Sequence, residues 1–291
     1  MPDENRVLIA GAGPVGYTAA LNLAHYRIPF TLIEAEATLL DDPRTATIHP
    51  PTLEMFTKHG QSDSFKKRDY IDRHYHYWDR KTGLVADFDL SVLADDTPYP
   101  YRLMLEQHKI SNIIDTVLKG YGNHEVLREH RVVAVSQNKD HVVVNLETPD
   151  GTKTLRGRYL IGCDGGRSQV RNYMNVKFEG FSFPERFLVV TTPYDFAEVG
   201  YAFTNYIADP EEWCALFKVP GLDEKGIWRV VFPTDHSLTK KHVLNDDNIE
   251  ARLQGFHPKT TPFKVVHRNL YEVHQRVASS YRDGRICGEY G

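Results

Sequence analysis

Cysteine is scarce in this chain, and long apolar runs are missing from it. The three cysteines, Cys163, Cys214 and Cys287, are too few and too widely spaced for a disulfide framework or a C-x-x-C metal site. No uninterrupted apolar run approaches membrane-spanning length, and Asp3 and Glu4 precede the first one, where a secretory signal would carry basic residues. These absences predict a soluble, cytoplasmic protein that associates with no membrane.

Concentrated charge of one sign is also lacking. The chain has 35 Lys and Arg against 39 Asp and Glu, so its formal net charge is −4, and the two signs are mixed along the sequence. Proteins that bind nucleic acids usually concentrate positive charge, so no nucleic-acid partner is predicted. Neither a G-x-S-x-G elbow nor an H-E-x-x-H helix occurs, and hydrolases therefore lack their usual signature here.

The N-terminal part of the sequence has the pattern of a strand, a helix and a second strand. Residues 6–10 (RVLIA) form a continuous apolar run that ends in glycine, which is typical of a strand buried in a parallel sheet. Apolar residues from Pro14 to Tyr26 recur at helical spacing, and proline suits a first helical turn. Residues 30–33 (FTLI) give the second strand. Together they predict a right-handed βαβ unit.

Three glycines lie between the first strand and the helix, in the sequence GAGPVG. Gly11 permits a tight turn, Gly13 lets the backbone approach a diphosphate, and Gly16 allows close packing of helix on strand. Glu34, at the end of the second strand, is placed to accept hydrogen bonds from a ribose. The pattern predicts an adenine dinucleotide with a free 2′-hydroxyl, but by itself it leaves FAD and NAD open.

The whole chain of 291 residues is predicted to form a mixed α/β protein of one large or two modest domains. Residues 35–52 predict an extended loop, and helical spacing predicts helices at 53–59 and 103–119. Strands are predicted at 70–78, 84–90, 131–137, 141–148, 153–156 and 159–162, the last of which closes the parallel sheet. Beyond about residue 173, longer and mostly antiparallel strands are predicted at 187–194, 201–207, 213–219, 227–233 and 264–277.

Several segments resemble one family of flavoproteins. LIGCDGGRSQVR at 160–171 is similar to the Asp-Gly fingerprint of the FAD-dependent aromatic-ring monooxygenases, the group that contains p-hydroxybenzoate hydroxylase and phenol hydroxylase. DPRTATIHPPTLEMF at 42–56, MLEQHKI at 104–110 and RVASSYRDGRI at 276–286 resemble the same family in the same order. The resemblance extends over nearly the whole chain, and it favours FAD over NAD.

The resemblance implies an α/β fold with a Rossmann-like FAD-binding domain and an inserted, mostly antiparallel β-sheet domain for the substrate. The implied boundaries are residues 1–172 for the FAD-binding domain, with a β excursion at about 70–100, and 173–270 for the substrate domain. Residues 271–291 return to the FAD-binding domain.

The resemblance also implies which residues contact the cofactor. These are Gly11, Gly13, Pro14, Val15, Gly16, Glu34, Ala35, Arg44, Gln107, Val133 and Asp164, with Val132 as an alternative to Val133. Other roles stay open for three of them. Arg44 could pair with a neighbouring aspartate on the surface, Gln107 could be a helix-surface residue, and Asp164 could serve only the turn that contains it.

The implied activity is hydroxylation of a phenolic or related aromatic substrate. In this family NADH or NADPH reduces the flavin, and O₂ supplies one oxygen atom to the ring, while the protein orients the substrate and excludes water. Polar-tipped candidates to face the ring are His49, Tyr201, Tyr206 and His236, although aromatic residues in strands mostly serve packing. No catalytic base is assigned.

His74 and His76 lie on one face of a predicted strand, where two imidazoles could hold a metal ion. The sequence shows no third ligand beside them, so a packed or solvated pair is favoured and no metal is predicted.

The C-terminal sequence departs from the family pattern. Relatives continue into a Gly-Asp motif that contacts FAD, whereas this chain reads GRICGEYG and ends at Gly291, with Gly288 and Glu289 as a possible remnant of that motif. We therefore expect a truncated chain, a homo-oligomer or partner chain that completes the site, or a flavin-binding protein without hydroxylase turnover. An NAD-dependent dehydrogenase that uses GAGPVG is the remaining alternative.

Overall fold

The computed structural model describes residues 5–39, 47–60, 65, 70–221 and 226–288, and it divides them into two compact units. Unit 1 contains the described residues within 1–45, 107–180 and 276–291, and unit 2 contains those within 46–106 and 181–275. The stretch at about 70–100, which was expected as an excursion from the FAD-binding domain, therefore belongs to unit 2. The second segment of unit 2 begins eight residues later than the predicted boundary at 173.

The described helices and strands alternate in unit 1 and are mostly strands in unit 2. The helices are α1 (Pro14–His25), α2 (Pro50–Thr57), α3 (Gln107–Leu118), α4 (Gln169–Tyr173), α5 (Lys240–Val243) and α6 (Asp246–Phe256). The strands are β1 (Val7–Ala10), β2 (Phe30–Ile33), β3 (Thr47–Ile48), β4 (Tyr70–Asp72), β5 (His74–Asp79), β6 (Gly83–Asp89), β7 (Arg102–Met104), β8 (His124–Leu127), β9 (Arg131–Gln137), β10 (Val142–Thr148), β11 (Gly151–Gly157), β12 (Tyr159–Gly162), β13 (Phe178–Thr192), β14 (Thr204–Ala208), β15 (Cys214–Val219), β16 (Ile227–Asp235), β17 (His267–Ala278), β18 (Arg282–Asp283) and β19 (Ile286–Gly288).

Unit 1 is built on a six-stranded sheet in the order β18-β19-β12-β1-β2-β8. All neighbours pair in parallel except β18 and β19, so five strands form a parallel sheet whose chain order is that of a Rossmann fold. The predicted βαβ unit is confirmed. The prediction that β12 closes this sheet is wrong, because β19 pairs with it on the far side.

The interior of unit 1 explains why β1 reads as an uninterrupted apolar run. All four β1 residues and all four β2 residues are buried. Leu8 and Leu160 of the parallel sheet pack in one cluster with Val142, Val144 and Leu146 of β10, the middle strand of the antiparallel sheet β11-β10-β9. The cluster fixes the carboxyl ends of β1 and β12 side by side.

Unit 2 contains a seven-stranded sheet in the order β17-β13-β16-β15-β14-β5-β6. The pairings β13-β16, β16-β15, β15-β14 and β5-β6 are antiparallel and β14-β5 is parallel, which confirms the predicted mostly antiparallel sheet. One face packs against α5 and α6, in a core that includes Trp228, Phe232, Val243 and Leu253. A smaller antiparallel sheet, β3-β7-β4, completes the unit.

Three predicted elements are wrong in their type or their bounds. The predicted helix at 103–119 begins only at Gln107, because residues 102–104 form β7 and are buried in the smaller sheet. The predicted strand at 70–78 divides into β4 and β5, which belong to different sheets. Helices α5 and α6 lie in a stretch that was predicted as β-rich, and the Asn245 cap of α6 was the missed signal.

Among the described residues, the helices are too short and too polar to cross a membrane.

Candidate dinucleotide site and aromatic face

The glycine turn lies where the strand order of the parallel sheet reverses. β1 ends at Ala10 and β12 at Gly162, and the chains that leave them stay in contact, since the Cys163 amide donates to the Ala10 carbonyl at 2.7 Å. Dinucleotides bind in the crevice at the carboxyl ends of strands at such a switch point. The fold therefore puts GAGPVG and the Asp164 segment at the same edge of the sheet.

Two of the three glycines are fixed by close packing. Gly11 has a φ of +100°, and a Cβ atom there would lie 2.3 Å from the Cys163 carbonyl oxygen. A Cβ atom on Gly16 would lie 1.8 Å from the Gly11 carbonyl oxygen. No side chain fits at either position, so these glycines are needed by the fold itself.

Gly13 differs from its neighbours because it faces open space. A Cβ atom on Gly13 would meet no atom within 4 Å, although its φ of −73° is ordinary for any residue. Gly13 is the N-cap of α1 and offers no side-chain cap, so the first amides of the helix point outward without an acceptor inside the helix. Pro14 occupies the first turn, and Val15 is exposed. This open, electropositive end is suited to a diphosphate.

Glu34 braces the glycine turn as well as facing the predicted ribose position. Its Oε2 accepts a hydrogen bond from the Ala12 amide at 2.7 Å, and its Oε1 accepts one from the Glu36 amide at 2.9 Å. A carboxylate offers about four acceptor positions, so two remain for ribose hydroxyls. Ala35, which follows it, is half-buried.

Asp164 points its carboxylate at the beginning of α4. Its oxygens accept hydrogen bonds from the Ser168 hydroxyl and from the amides of Gln169, at 2.7 Å, and Val170, at 3.1 Å. Ser168 in turn caps the helix by accepting from the Arg171 amide at 3.0 Å. These contacts show that Asp164 shapes its own loop, and its contact with FAD stays a prediction.

The other predicted cofactor residues are described by their element and exposure, and Arg44 is not among the described residues. Gln107 is the first residue of α3 and is half-buried. Val133 lies on β9 with 37% of its surface exposed. Strand β9 begins beside the end of β2, because the His130 amide donates to the Glu34 carbonyl at 2.8 Å.

A buried network that was missed at the sequence level joins α1 to α3 and β8. The Tyr17 hydroxyl donates to Asp115 at 2.7 Å and accepts from Arg128 at 3.0 Å. Burial, together with the Asp115 carboxylate, raises the pKa of Tyr17 far above its ordinary value, so this phenol stays protonated. The network holds the N-terminal end of α1 in place behind the glycine turn.

Aromatic rings cover part of the sheet face of unit 2 that lies opposite α5 and α6. Register places two cross-strand rows on this face: Tyr75, Thr204, Phe217, Arg229 and Thr191, and then Tyr77, Tyr206, Ala215, Val231 and Val189. We call Tyr75, Tyr77, Phe88, Tyr206 and Phe217 the aromatic face. Ring centroids lie 4.8 Å apart for Tyr75 and Phe88 and 5.0 Å apart for Tyr77 and Tyr206. Such a surface suits a flat aromatic ligand.

Arg102 lies at the edge of the aromatic face within a buried polar cluster. Its guanidinium donates to Asp72 at 2.9 Å, and it lies 4.5 Å from the centre of the Tyr75 ring. Thr204 also donates to Asp72, at 2.7 Å. Burial raises the pKa of Asp72, although Thr204 and Arg102 oppose that shift. Burial likewise raises the pKa of Tyr206, and the charge of the Arg102 cation partly offsets the rise.

The structure separates the four candidates predicted to face the ring. His49 and Tyr206 lie near Arg102, and burial together with the Arg102 cation lowers the pKa of His49, so its imidazole is neutral at pH 7. Tyr201 packs against Trp78 at 5.0 Å, on the face that bears the helices. His236 is exposed and lies 3.9 Å from Glu272. Only the first two accompany the aromatic face.

His74 and His76 have a third polar neighbour, which the sequence did not reveal. Asp87 of β6 lies 3.1 Å from His74 Nδ1 and 3.5 Å from His76 Nε2, beside a cleft of about 570 Å³ on the helix-bearing side of the sheet. The sequence alone did not show that Asp87 faces His74 and His76 across β5 and β6. Within the described part of the chain, no group of His, Cys, Asp or Glu is arranged to hold a metal ion.

The residues of unit 1 fit FAD. The open space in front of Gly13, the uncapped end of α1 and the remaining acceptor positions of Glu34 provide a cradle for a diphosphate and a ribose at one edge of the sheet.

Comparison with known proteins agrees with this geometry. The FAD binding domain family matches residues 4–287. Para-nitrophenol 4-monooxygenase of Pseudomonas sp. (strain WBC-3) is 35% identical over 96% of this chain and 69% of its own length. 6-Hydroxy-3-succinoylpyridine 3-monooxygenase HspB of Pseudomonas putida (strain DSM 28022 / S16) is 31% identical over 98% of this chain and 72% of its own.

A solved structure gives the same result. The crystal structure of p-nitrophenol 4-monooxygenase PnpA from Pseudomonas putida DLL-E4 superposes with a TM-score of 0.92, at 31% identity over 99% of this chain and 72% of that one. The predicted fold, cofactor and enzyme class are confirmed. This chain belongs to the FAD binding domain family of FAD-dependent aromatic-ring monooxygenases.

Proposed function

We propose that this protein binds FAD at the glycine turn of unit 1 and hydroxylates a phenolic ring that lies on the aromatic face of unit 2. The observation that carries the proposal is the open position at Gly13, in front of an uncapped helix at the switch point of a Rossmann sheet. NADH or NADPH serves as electron donor, and O₂ is the second substrate. Bound FAD supplies the redox chemistry by which one oxygen atom of O₂ reaches the ring.

The residues of unit 1 bind and orient the cofactor. The amides at the start of α1 hold the diphosphate, Glu34 accepts from the ribose hydroxyls, and Ala35 and Val133 lie toward the adenosine end. Gln107 lies toward the flavin end. Asp164 acts through its loop, because its carboxylate is already engaged with the start of α4.

The residues of unit 2 orient the substrate and exclude water from it. Rings of the aromatic face stack on the phenol, as flat partners do at 4.5–7 Å. Tyr206, whose ring lies 5.0 Å from that of Tyr77 on the aromatic face, is the polar group proposed to meet the phenolic oxygen. The neutral imidazole of His49 lies near the Arg102 cation.

The cytoplasm is the proposed location. Cys163, Cys214 and Cys287, all within the described residues, form no disulfide, as expected in a reducing compartment. We also propose that a second copy of the chain or another chain completes the site. The mass of the FAD-loaded protein in solution would test this.

Two measurements on the purified protein test the function. FAD is titrated first, with Gly13→Ala as the control that should bind it weakly, and O₂ uptake with NADH or NADPH is then followed with and without 4-nitrophenol. We expect a yellow protein whose O₂ uptake rises when the phenol is added, with formation of a hydroxylated product. FAD binding without phenol-stimulated uptake would instead support a flavin-binding protein that has lost hydroxylase turnover.

A further inference from the structure

Among the described residues, the buried charges beside the aromatic face lie in two pairs of opposite sign. Arg102 is 7% exposed and donates to Asp72, which is 2% exposed. Arg229 is 6% exposed and lies 3.8 Å from Glu106, which is also 2% exposed. Among the described residues, these four are the only buried charged groups of unit 2 apart from Lys218.

The two pairs lie on the same side of the sheet as the rings. Arg229 faces Phe217 directly across β15 and β16, and Arg102 lies over Tyr75, which belongs to the same cross-strand row. Lys218 belongs to the other side, where it lies 5.6 Å from the centre of the Trp228 ring and pairs with Asp195 at 3.1 Å. Among the described residues, the ring-bearing side therefore holds two buried cations and two buried anions.

A ligand charge on this side would have no buried partner. Each guanidinium already has its carboxylate, so a ring carboxylate would make three anions against two cations in a poorly solvated place. The next row offers Tyr77, Tyr206, Ala215, Val231 and Val189, which add aromatic and aliphatic surface but no charge. A phenolic hydroxyl needs only a hydrogen-bond partner, which Tyr206 supplies.

We infer that the aromatic face selects phenols whose other ring substituents are uncharged and discriminates against phenols that carry a carboxylate, because Asp72 and Glu106 already neutralise its two buried arginines. This inference rests on the proposed function, since it takes a phenol as the substrate. It makes Asp72 and Glu106 determinants of specificity rather than catalytic residues. Either carboxylate can then be removed without removing a group that touches the reacting atoms.

The first experiment compares ligands of nearly equal shape on the FAD-loaded protein. 4-Nitrophenol and 4-hydroxybenzoate carry planar para groups of similar size, one uncharged and one anionic, and 4-hydroxybenzamide is a second uncharged probe. Dissociation constants are measured by calorimetry, and kcat/KM from O₂ uptake with NADH or NADPH, at a mildly acidic pH at which 4-nitrophenol is mainly protonated and the carboxyl group of 4-hydroxybenzoate is ionised. We expect both uncharged phenols to be preferred over 4-hydroxybenzoate by about 100-fold. Equal affinities and equal kcat/KM values would overturn the inference.

The second experiment removes one matched anion. Glu106→Gln keeps an oxygen to accept the Gly221 amide hydrogen bond, which is 3.3 Å long, while it leaves the Arg229 cation for the ligand. We expect the preference for uncharged phenols to fall by at least ~10-fold. Asp195→Asn is the matched control, because it removes the anion of the Lys218 pair on the other side of the sheet and should leave the preference unchanged.

The possible outcomes remain distinct. Asp72→Asn, which frees Arg102, repeats the test if Glu106→Gln does not fold, and the comparison of ligands on the unmodified protein stands without either variant. If 4-nitrophenol, 4-hydroxybenzamide and 4-hydroxybenzoate all fail to stimulate O₂ uptake by the FAD-loaded protein, the proposed function fails. If the uncharged phenols stimulate uptake and 4-hydroxybenzoate does so equally, only the specificity inference fails. An unchanged preference in folded Glu106→Gln and Asp72→Asn overturns the assigned cause.

Discussion

The Ala12 amide donates a hydrogen bond to Glu34 Oε2 at 2.7 Å, so the carboxylate at the end of β2 is tied to the middle of the glycine turn. Its second oxygen accepts from the Glu36 amide. The same side chain is the proposed acceptor for the ribose of FAD. One residue therefore shapes the turn and is the proposed ribose acceptor, and the two contributions need separate measurement.

We expect Glu34→Gln to weaken FAD binding by about 10-fold or more, and to destabilise the protein without FAD as well. A glutamine amide nitrogen would face one of the two backbone amides, both of which are donors, and an unpaired donor costs about 1–3 kcal/mol. FAD fluorescence titration and urea unfolding measure the two effects. Glu36→Gln is the control, since that exposed carboxylate pairs with Arg131 at the surface. Unchanged FAD affinity in Glu34→Gln would argue against the ribose assignment.

Gly13→Ala should separate binding from folding more cleanly. The added Cβ meets no atom of the protein within 4 Å, so the unfolding midpoint without FAD should not fall. The methyl group would stand in the space reserved for the diphosphate, and we expect the FAD dissociation constant to rise by at least ~10-fold. Thermal unfolding without FAD and titration with FAD check the two halves of this prediction.

Gly16→Ala is the matched contrast to Gly13→Ala. Its Cβ would lie 1.8 Å from the Gly11 carbonyl oxygen, so the variant should lose stability even without FAD. Equal stability losses in the two variants would mean that Gly13 is needed only for the turn.

Asp164 and Ser168 should behave as one unit when they are removed. Both belong to the cap of α4, and loss of a helix cap costs about 1–2 kcal/mol. We expect Asp164→Ala and Ser168→Ala each to lower the free energy of unfolding by about that amount, and the double variant to lower it by less than their sum. Urea unfolding of all four proteins gives the coupling. Strict additivity would show that the two side chains act independently.

The sequence revealed the first half of the dinucleotide site better than any other feature. The βαβ unit is a continuous segment of the chain, and the spacing of Gly11, Gly16 and Glu34 within it was sufficient to predict the turn. The sequence placed Asp164 at the correct edge of the sheet. Its hydrogen bonds with the start of α4, however, depend on how the loop folds back. Serine is a preferred helix N-cap residue, so Ser168 could have predicted where α4 begins.

Long-range pairing set the limit of prediction in unit 2. β5 pairs in parallel with β14, which lies more than 120 residues further along the chain, and alternation of side chains cannot name such a partner. For the same reason the residues near 70–100 were predicted with the wrong domain. The Asp72 pair with Arg102 lies across β4 and β7, and the Asp87 contact with His74 lies across β5 and β6, so both required the register of those strands.

His257 should make the stability of the protein depend on pH near and below pH 6.5. Burial, and then the neighbouring Lys259 cation, lower the pKa of this imidazole below its ordinary value of about 6.5. The neutral ring hydrogen-bonds the Tyr194 hydroxyl at 2.9 Å. Because the unfolded chain binds a proton at a higher pH than the folded one, this contribution is complete above pH ~6.5 and is lost as the pH falls toward the folded pKa.

The free energy of unfolding should therefore be lower at pH 5.5 than at pH 7.5, and His257→Phe, which keeps a ring beside Phe196, should reduce that difference. His49, whose pKa is also lowered, leaves a residual slope in the variant. Urea unfolding at the two pH values measures the difference, and an equal difference in both proteins would remove His257 as its source.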